Sequence, residues 1–434
     1  MLVCEEQDVL DGREAVMADC GSCVDEERCE VMEILFFSQF YKPEAIAASF
    51  RATDNAEYWV KAGNQVSVFT AYPNYPTGKV FYGYKVRLLS KQTLNGVKVF
   101  RSKLIIKANT NMLNRIENAL SFFAYGLYNI FFNSKKIGKN YDVVLGTSGT
   151  IFAAMLGCTY AAVYSKPFIF EIRDLTYKQL IATGRSKNSI LVKAMKAIEL
   201  FLCKKAKKVV VVTNGFKNIL VQDGITKEKI HVITNGVDVN PVKAKHEPKF
   251  ILSYYGTLGI SQNIADTFQY AQVIKKKIST FEYRIIGEGA QKTDISKKIT
   301  EEQNRYINLM DGMSSDELES YYQDTQLSVV TLKKSIDFQY TIPSKIFQIM
   351  GRGIAVLFIG PDGEAADIIR KYNAGIVLTG SVEEDLKVLD EFFSRDNRRE
   401  ALSTMGKNGA QAVVEHYSRS HLAEKYLKIL EDAI

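Results

Sequence analysis

The stretch from Tyr340 to Val356, YTIPSKIFQIMGRGIAV, combines a predicted helix start with side chains that suit an anionic ligand. Pro343 fits the first turn of a helix, because its missing N–H would have no partner there, and the residue before a proline is biased away from helix. We therefore predict a helix from about Ser344. Its unpaired N–H groups and its dipole favour a phosphate, Lys345 adds a positive charge, and Gln348 lies about one turn along the same side.

An alternative interpretation of this stretch needs no ligand. Ile346, Phe347 and Ile349 have the spacing of an inward-facing surface, so the segment also suits an ordinary core helix that begins with a proline. The stretch alone does not separate the two interpretations. The rest of the chain has to decide between them.

Two glycine pairs follow predicted strands in the same half of the chain. Gly256 and Gly259 come after SYY, and Gly287 and Gly289 flank Glu288 after YRII. Glycine at the end of a strand lets phosphate oxygens or a ribose come close to the main chain. Together with the helix start described above, these pairs predict a nucleotide-binding site.

Apolar runs separated by helical stretches occur in two series along the chain. Such runs are typical of parallel strands in a sheet that helices cover on both faces. The first series is MEILFFSQF, QVSVFTAY, DVVLGTS, PFIFEIRD, KKVVVVTN and IHVITNG, and the second is FILSYYGTLG, YRIIGEG, INLMDGM, LSVVTLK, IAVLFIG and GIVLTG. The predicted fold class is α/β, with two doubly wound Rossmann-like domains facing across a cleft. Ligands are expected in that cleft, at the carboxyl ends of the strands.

The domain boundaries follow from these two series. We predict an acidic leader in residues 1–31, an N-terminal domain in 32–240 and a C-terminal domain in 241–410. The polar run NPVKAKHEPK between the two domains suits a linker. Residues 411–434 are predicted to form a helix that packs back on the N-terminal domain.

The composition is that of a globular chain. Its 434 residues are 46% hydrophobic and 24% charged, which is enough to bury a large core. The net charge of +7 is uneven, because residues 1–31 hold ten acidic and two basic side chains, together with four of the six cysteines. Cys20 and Cys23 have the spacing of a metal knuckle or a redox pair, but nothing periodic surrounds them. We expect a disordered or non-native leader, no signal peptide, and a reduced, cytosolic protein.

One region of the first domain is strongly basic. Between Phe81 and Asn140 there are eleven Lys or Arg side chains and a single acid, Glu117. The apolar run Leu120 to Phe132 within it is too short for a bilayer, which needs about 20 residues. It could lie in the membrane interface beside lysines that meet anionic lipid, or it could be a core helix with solvated neighbours. Nucleic acid is not expected, because no nucleic-acid-binding motif accompanies the charge.

Several motifs in a fixed order resemble those of glycosyltransferase family 4, whose members have the two-domain GT-B fold. The similarity runs from Met32 to the C-terminus and is greatest to the bacterial branch that builds capsule and O-antigen repeat units. The matching segments are FSQFYKPE with Arg51, AYPNYPTG, KPFIFEIRDL, TNGVDV, YYGTLGISQN, IIGEG and PSKIFQIMGRG.

The resemblance implies a retaining transfer of sugar from a nucleotide-sugar, with the C-terminal domain holding the donor and the N-terminal domain the acceptor. The implied donor is a UDP-sugar, and the acceptor is a polyprenyl-pyrophosphate-linked saccharide at the inner face of the cell membrane. No metal or cofactor is expected, since the nucleotide-sugar is a substrate and no Asp-X-Asp site is placed to hold an ion. The residues implied in donor binding are Gly256, Thr257, Gly259, Gln262, Gly287, Glu288, Gly289, Tyr340, Ser344, Lys345 and Gln348.

The sequence departs from the family pattern at the donor site. Tyr340 and Gln348 stand where the family usually has two glutamates seven residues apart. A neutral Gln348 accepts a weaker hydrogen bond from a ribose hydroxyl than a carboxylate would. Thr257 and Gln262 replace the Arg and Lys that commonly hold the diphosphate. Lys345 is therefore the main cationic candidate for neutralising the leaving group.

The acceptor side is predicted from first-domain residues near strand ends. Glu44 is expected to head a helix after the first strand, and Asp174 follows PFIFEIR, so both could touch acceptor hydroxyls. The alternatives are a helix-start acid and a turn residue. Pro43 and Arg51 complete the acceptor set, with Arg51 more structural or phosphate-facing than catalytic. The predicted catalytic residues are Lys345, Glu44 and Asp174, since no histidine base is evident.

Other functions fit parts of the pattern. A nucleotide-sugar epimerase shares the two-domain form and would convert a UDP-sugar without an acceptor. The missing glutamates also permit a non-catalytic partner of another glycosyltransferase. A nucleic-acid binder would respond to no nucleotide-sugar.

Overall fold

The computed structural model describes residues 31–75, 77–107, 112–182, 185–242 and 249–434. The acidic leader and its Cys20–Cys23 pair lie outside the described residues, apart from Val31. The described chain forms two lobes, each built around its own β-sheet. The first lobe holds strands β1–β8 and the second holds strands β9–β14.

The first sheet has eight strands in the order β3-β4-β2-β1-β5-β6-β7-β8, and every pair is parallel except β3 with β4. Its strands are β1 (Glu33–Phe37), β2 (Gln65–Ala71), β3 (Leu89–Leu94), β4 (Val97–Ser102), β5 (Val143–Thr147), β6 (Phe168–Ile172), β7 (Lys208–Val211) and β8 (Ile230–Val232). Its helices are α1 (Ala47–Lys61), α2 (Met112–Phe132), α3 (Ser134–Ile137), α4 (Ile151–Val163), α5 (Thr176–Ala182), α6 (Ile190–Lys205) and α7 (Asn214–Gln222), with a 3₁₀ turn at Lys227–Lys229.

The antiparallel hairpin of β3 and β4 is absent from the sequence prediction. β3 is a polar edge strand and β4 reads VKVFRS, so both lack the apolar run that marks the predicted strands. The turn itself carries a signal, because Asn95 and Gly96 both have positive φ, as a two-residue hairpin turn requires.

The second sheet is wholly parallel, in the order β11-β10-β9-β12-β13-β14. All six predicted strands form, as β9 (Phe250–Tyr255), β10 (Phe281–Ile286), β11 (Ile307–Met310), β12 (Leu327–Thr331), β13 (Ala355–Ile359) and β14 (Gly375–Leu378). The helices are α8 (Phe268–Lys277), α9 (Lys292–Glu301), α10 (Ser315–Gln323), α11 (Ser344–Gly351), α12 (Glu364–Lys371), α13 (Val382–Phe393), α14 (Arg398–Ala412) and α15 (Arg419–Glu431), with 3₁₀ turns at Ile264–Thr267 and Ile336–Phe338 and a π-helical turn at Val413–Tyr417. The strand order reverses between β9 and β12, which is where such sheets bind ligands.

The first helix begins later than predicted. α1 starts at Ala47, after Ile46 in extended conformation, so Glu44 lies in the preceding loop and does not head the helix. The buried Glu44 carboxylate instead accepts hydrogen bonds from the main-chain N–H groups of Asn74 and Tyr75, both at 2.9 Å. These bonds join the loop after β1 to the loop after β2.

The two last helices pack on different lobes. α14 lies against α11 and β13 of the second lobe, whereas α15 lies against α1 of the first. The fully buried Trp59 of α1 donates a hydrogen bond from Nε1 to the Ala423 carbonyl at 3.1 Å and meets Tyr426 edge to face. The side of α15 that faces α1 is therefore part of the first-lobe core. Within the described ranges, no helix is both long and apolar enough to cross a membrane.

Candidate active site between the lobes

A cavity of about 310 Å³ lies between the two lobes. Ser344 and Gln348 reach it from the second lobe, at the amino end of α11. Arg173 and Asp174 reach it from the first lobe, in the loop after β6. The predicted helix start at Ser344 is thus confirmed, and the cavity brings it together with a predicted acceptor-side acid.

Among the described residues, Asp174 is one of two acids that line this cavity, and Asp54 is the other. Asp174 also lines a smaller neighbouring cavity of about 80 Å³ with Tyr340 and Thr213. Burial within the cleft raises the pKa of Asp174 above its usual value, while the neighbouring Arg173 guanidinium and a hydrogen bond from Gln179 oppose that shift. An acid in this position can accept a hydrogen bond from an incoming hydroxyl.

The Lys345 side chain folds over the end of β9. Its ammonium donates a hydrogen bond to the Tyr254 hydroxyl at 2.6 Å and lies 4.3 Å from the centre of the Tyr254 ring. Its outer carbons cover Gly256, where an added Cβ would meet Lys345 Cε. Burial lowers the pKa of Lys345 to about 8. The lysine is therefore a poorly solvated cation at the switch point, held by a neutral hydroxyl.

The glycines after β9 and β10 have protein in the direction that a Cβ atom would take, so packing is one reason for glycine at these positions, beside the predicted contact with a ligand. A Cβ on Gly287 would collide with the Gly256 carbonyl, and one on Gly289 would collide with the Leu258 carbonyl. A Cβ on Gly259 would meet the Gln262 side chain. Glycine is needed here because two loops touch main chain to main chain. Gly256, with a φ of 127°, lies beneath the Lys345 side chain, so a movement of that lysine would expose it.

The remaining donor-side residues lie around the same loops. Thr257 is exposed, and its carbonyl accepts a hydrogen bond from the Tyr254 hydroxyl at 2.6 Å. Glu288 is exposed, and its carboxylate binds the Lys292 ammonium at 2.6 Å and the Gly312 N–H at 3.0 Å. Its carboxylate is therefore already engaged by α9 and the loop after β11.

Arg51 is held on three sides by protein. Nε donates to the Glu171 carboxylate at 2.8 Å, and the two terminal nitrogens donate to the carbonyls of Thr234 and Ile233 at 2.8 and 3.0 Å. Glu171 is 1% exposed. Burial alone would raise its pKa, but the charges of Arg51 and Arg173 outweigh burial and hold it below its usual value. This geometry favours the structural role foreseen for Arg51, at the wall of the cavity.

The two other predicted acceptor residues are less accessible from the interlobe cavity. Glu44 is 2% exposed; its Oε1 holds the loop after β2, whereas its buried Oε2 has no hydrogen-bond partner among the described residues. Pro43 is exposed and follows a cis peptide bond with Lys42.

Two residues join the lobes at α7, and sequence patterns did not predict this contact. The Tyr340 ring covers Gly215 so closely that a Cβ there would collide with it. Glu364, the first residue of α12, accepts hydrogen bonds from the main-chain N–H groups of Asn214, at 2.8 Å, and of Gly215. A carboxylate of the second lobe thus caps a helix of the first.

In the part of the chain that the structure describes, no group of three or more His, Cys, Asp or Glu side chains is placed to hold a metal ion.

Two family models match consecutive parts of the chain. The model described as Glycosyltransferase Family 4 matches residues 49–241, and the model described as Glycosyl transferases group 1 matches residues 238–412. The glycosyl transferase WcaI of Escherichia coli K12, named for colanic acid biosynthesis, is 21% identical over 340 residues, which are 74% of this chain and 82% of that protein.

Solved structures of similar proteins share both lobes. Sucrose-phosphate synthase from Thermosynechococcus elongatus matches with a TM-score of 0.67 at 12% identity, over 92% of this chain and 98% of its own. HepE of Anabaena, in complex with UDP and glucose, matches with a TM-score of 0.62 at 13% identity, over 92% of this chain and all (100%) of its own. The predicted pair of Rossmann-like domains facing across a cleft is confirmed. The chain belongs to glycosyltransferase family 4 and has the GT-B fold.

Proposed function

We propose that this glycosyltransferase moves a sugar from a UDP-sugar to a lipid-pyrophosphate-linked saccharide in capsule or O-antigen synthesis, with retention of configuration and without a metal ion. The observation that carries the proposal is the meeting of Ser344 and Gln348 from one lobe with Asp174 from the other in a single cavity. Such a cavity can hold a donor and an acceptor hydroxyl side by side. The relative named for colanic acid biosynthesis supports the polysaccharide assignment.

The cationic side chain at the β9 switch point has the chemistry to stabilise a leaving diphosphate. Among the described residues, the Lys345 ammonium is hydrogen-bonded to Tyr254, whose hydroxyl also donates to the Thr257 carbonyl, so the lysine can move away without leaving that hydroxyl unpaired. In a site with little water, one charge opposite a developing phosphate charge has a large effect. Asp174 would then orient the acceptor hydroxyl, and the departing phosphate would take the proton of that hydroxyl.

UDP should bind and stabilise the full-length chain. A ligand that binds only the folded state adds about 2.7 kcal/mol of stability at one hundred times its Kd, so the melting temperature should rise by several degrees. The measurement is thermal unfolding with UDP, UDP-sugars, ADP and GDP. The UDP preference is supported by HepE, whose structure holds UDP and glucose.

The nucleotide comparison has clear alternatives. A larger rise of the melting temperature with ADP or GDP would identify that nucleotide, in place of UDP, as the one carried by the donor. No rise with any nucleotide would favour a non-catalytic partner of another glycosyltransferase. Conversion of a UDP-sugar to its epimer in the absence of acceptor would identify an epimerase.

The lipid-linked acceptor is supported by one face of α2. Phe122 and Ile130 on its inner side belong to the core, as the core-helix alternative predicts. Its outer side leaves six large apolar side chains 40–76% exposed, namely Leu113, Ile116, Leu120, Tyr128, Phe131 and Phe132. Lys135, Lys136 and Lys139 follow and are also exposed. An apolar stripe beside lysines suits the surface of an anionic membrane.

The protein should bind vesicles that contain phosphatidylglycerol and release them as salt increases. Raising ionic strength from about 0.1 M to 1 M shortens the screening length roughly threefold, which weakens the lysine contribution. The double substitution Phe131→Ser with Phe132→Ser should reduce vesicle partitioning by about tenfold or more, since each buried phenylalanine contributes about 1.5–3 kcal/mol. Sedimentation with vesicles measures both effects.

A matched control comes from an exposed apolar residue on the other lobe. Val388→Ser changes a side chain that is 45% exposed on α13, far along the chain from α2, and should leave vesicle binding unchanged. Equal binding by the α2 variant and the wild type would contradict the membrane assignment.

A further inference from the structure

A separate cavity, of about 150 Å³, lies in the first lobe where β1 and β2 end. Side-chain amides form much of its lining, and we call it the amide pocket. Gln39 and Asn74 are only 3% and 5% exposed, and Asn118 of α2 is half-buried. Neither the proposed chemistry nor the lobe contact uses these side chains, although Gln39 and Asn74 lie in segments that carry the family resemblance.

The amides of this pocket form a hydrogen-bonded chain. Thr150 donates to the Gln39 oxygen at 2.7 Å, Gln39 donates to Asn118 at 3.0 Å, and Asn118 donates to Asn74 at 3.3 Å. A primary amide has two N–H donors and an oxygen with two lone pairs. The chain therefore fixes the orientation of each amide and leaves it able to donate to, or accept from, a further polar group.

The pocket is neutral and partly aromatic. Phe40 and Tyr75 line it as an edge-to-face pair with ring centres 6.0 Å apart. Among the described lining residues Lys107 is the charged one, and it is paired with Glu117 at 2.5 Å on the exposed rim. Amides beside aromatic rings suit a ligand with hydroxyl groups and C–H faces, which is the chemistry of a sugar ring. A free phosphate would find no unpaired cation among these described side chains.

A short loop joins the amide pocket to the interlobe cavity. In the turn between β5 and α4, Thr150 bonds Gln39 of the pocket, and Ser148 accepts a hydrogen bond from the main-chain N–H of Arg173 at 2.9 Å. Arg173 and its neighbour Asp174 line the interlobe cavity. Glu44 also contacts the pocket wall, because its carboxylate accepts a hydrogen bond from the main-chain N–H of Asn74. A saccharide held in the pocket would lie beside the residues that face the donor.

We infer that the amide pocket is a subsite for one neutral sugar ring of the acceptor. Its volume is well below the roughly 300 Å³ of pockets for drug-sized ligands, so it takes a single ring. The inference rests on the proposed transferase function and extends it, because it assigns sugar recognition to Gln39, Asn74 and Asn118, away from the pyrophosphate. The lipid-linked phosphates would then lie outside the pocket.

Saturation-transfer NMR tests the subsite with the full-length chain and a mixture of methyl glycosides of glucose, galactose, mannose and N-acetylglucosamine, in the presence of UDP. At least one glycoside should receive saturation from the wild type. Asn118→Leu removes amide hydrogen bonds and should weaken that binding by about tenfold. Tyr75→Leu, which removes an aromatic face in a loop, provides a second variant if the first does not fold. Asn133→Leu is the matched control, because Asn133 follows the same helix but bonds Asn129 and does not line the pocket.

The outcomes separate this inference from the proposed function. Glycoside signals that fall in the Asn118 and Tyr75 variants, with the Asn133 variant unchanged, support the subsite. An absent wild-type signal while UDP raises the melting temperature overturns it, as does a signal equal in all variants. A glycoside signal that depends on Asn118, without any nucleotide effect, keeps the sugar site and rejects the donor proposal.

Discussion

Replacing Lys345 with methionine should lower sugar transfer by about 10²-fold or more while changing the melting temperature little, because one charge facing a developing oxyanion contributes that much to catalysis. Methionine keeps the apolar stem that covers Gly256. The Tyr254 hydroxyl keeps its bond to the Thr257 carbonyl. The measurement is turnover at saturating UDP-sugar beside thermal unfolding. Near-normal turnover in the methionine variant would remove Lys345 from the proposed mechanism.

The pH dependence provides the control for this prediction. Because burial lowers the pKa of Lys345 to about 8, the charge should be lost above that pH, and UDP affinity should fall there. The stability of the unliganded protein should change in the opposite direction. The folded state releases this proton more easily than the unfolded state, so stability contributed by Lys345 is present above the unfolded pKa of 10.5 and is lost as pH falls through about 8. Both trends should be absent from Lys345→Met, and Lys345→Arg should restore charge at high pH.

Replacing Arg51 with methionine should destabilise the protein by about 3–5 kcal/mol, the usual effect of leaving one partner of a buried ion pair uncompensated. The Glu171 carboxylate is 1% exposed and would lose its bond at 2.8 Å. Two carbonyls in the segment that leads into the cavity wall, those of Ile233 and Thr234, would lose donors as well. Urea unfolding of the variant and the wild type gives the difference.

The sign of the pH effect identifies the charge as the cause. In the wild type the pKa of Glu171 lies below its usual value, so its stabilisation is present at neutral pH and is lost as pH falls through that lowered pKa. In Arg51→Met the effect of burial on the pKa of Glu171 meets less opposition, so that pKa should rise. Protonation of Glu171 should then relieve part of the lost stability, and the loss relative to the wild type should be larger at pH 7 than near pH 5. Adding Glu171→Gln should recover part of the stability. An equal unfolding midpoint in wild type and variant would show that the pair contributes little.

Most strands were predictable because a strand that is buried on both faces consists almost entirely of apolar residues. β13, for example, reads AVLFI and is buried throughout, as a strand covered on both faces must be. The edge strand β3 reads LSKQTL, with four consecutive polar residues, and its interior partner β4 reads VKVFRS, with charged residues between apolar ones. The criterion of an apolar run overlooked both, although Asn95 and Gly96 mark the turn between them. Composition therefore identifies strands that are apolar throughout better than strands that include polar residues.

The candidate site was predictable in position and not in contacts. The proline before α11 located the helix start. The expectation that ligands bind at the carboxyl ends of parallel strands placed this helix start at the cleft. Lys345 and Tyr254 are 91 residues apart, and no local pattern shows that they meet. The bonds from Glu364 to α7 depend on how the lobes face each other, which the sequence of either lobe does not encode locally. Contacts between side chains that are distant in sequence could therefore not be predicted.

The position of α15 has a consequence for synthesis of the chain. Trp59 and the strands around it are among the first described segments to leave the ribosome, yet their core is completed by Tyr426 and Leu430. Domains usually fold in the order in which they are made. Here the first lobe must wait, with part of its apolar surface uncovered, until the second has been translated. Nascent chains stalled before α15 should therefore depend on chaperones more than the released protein does.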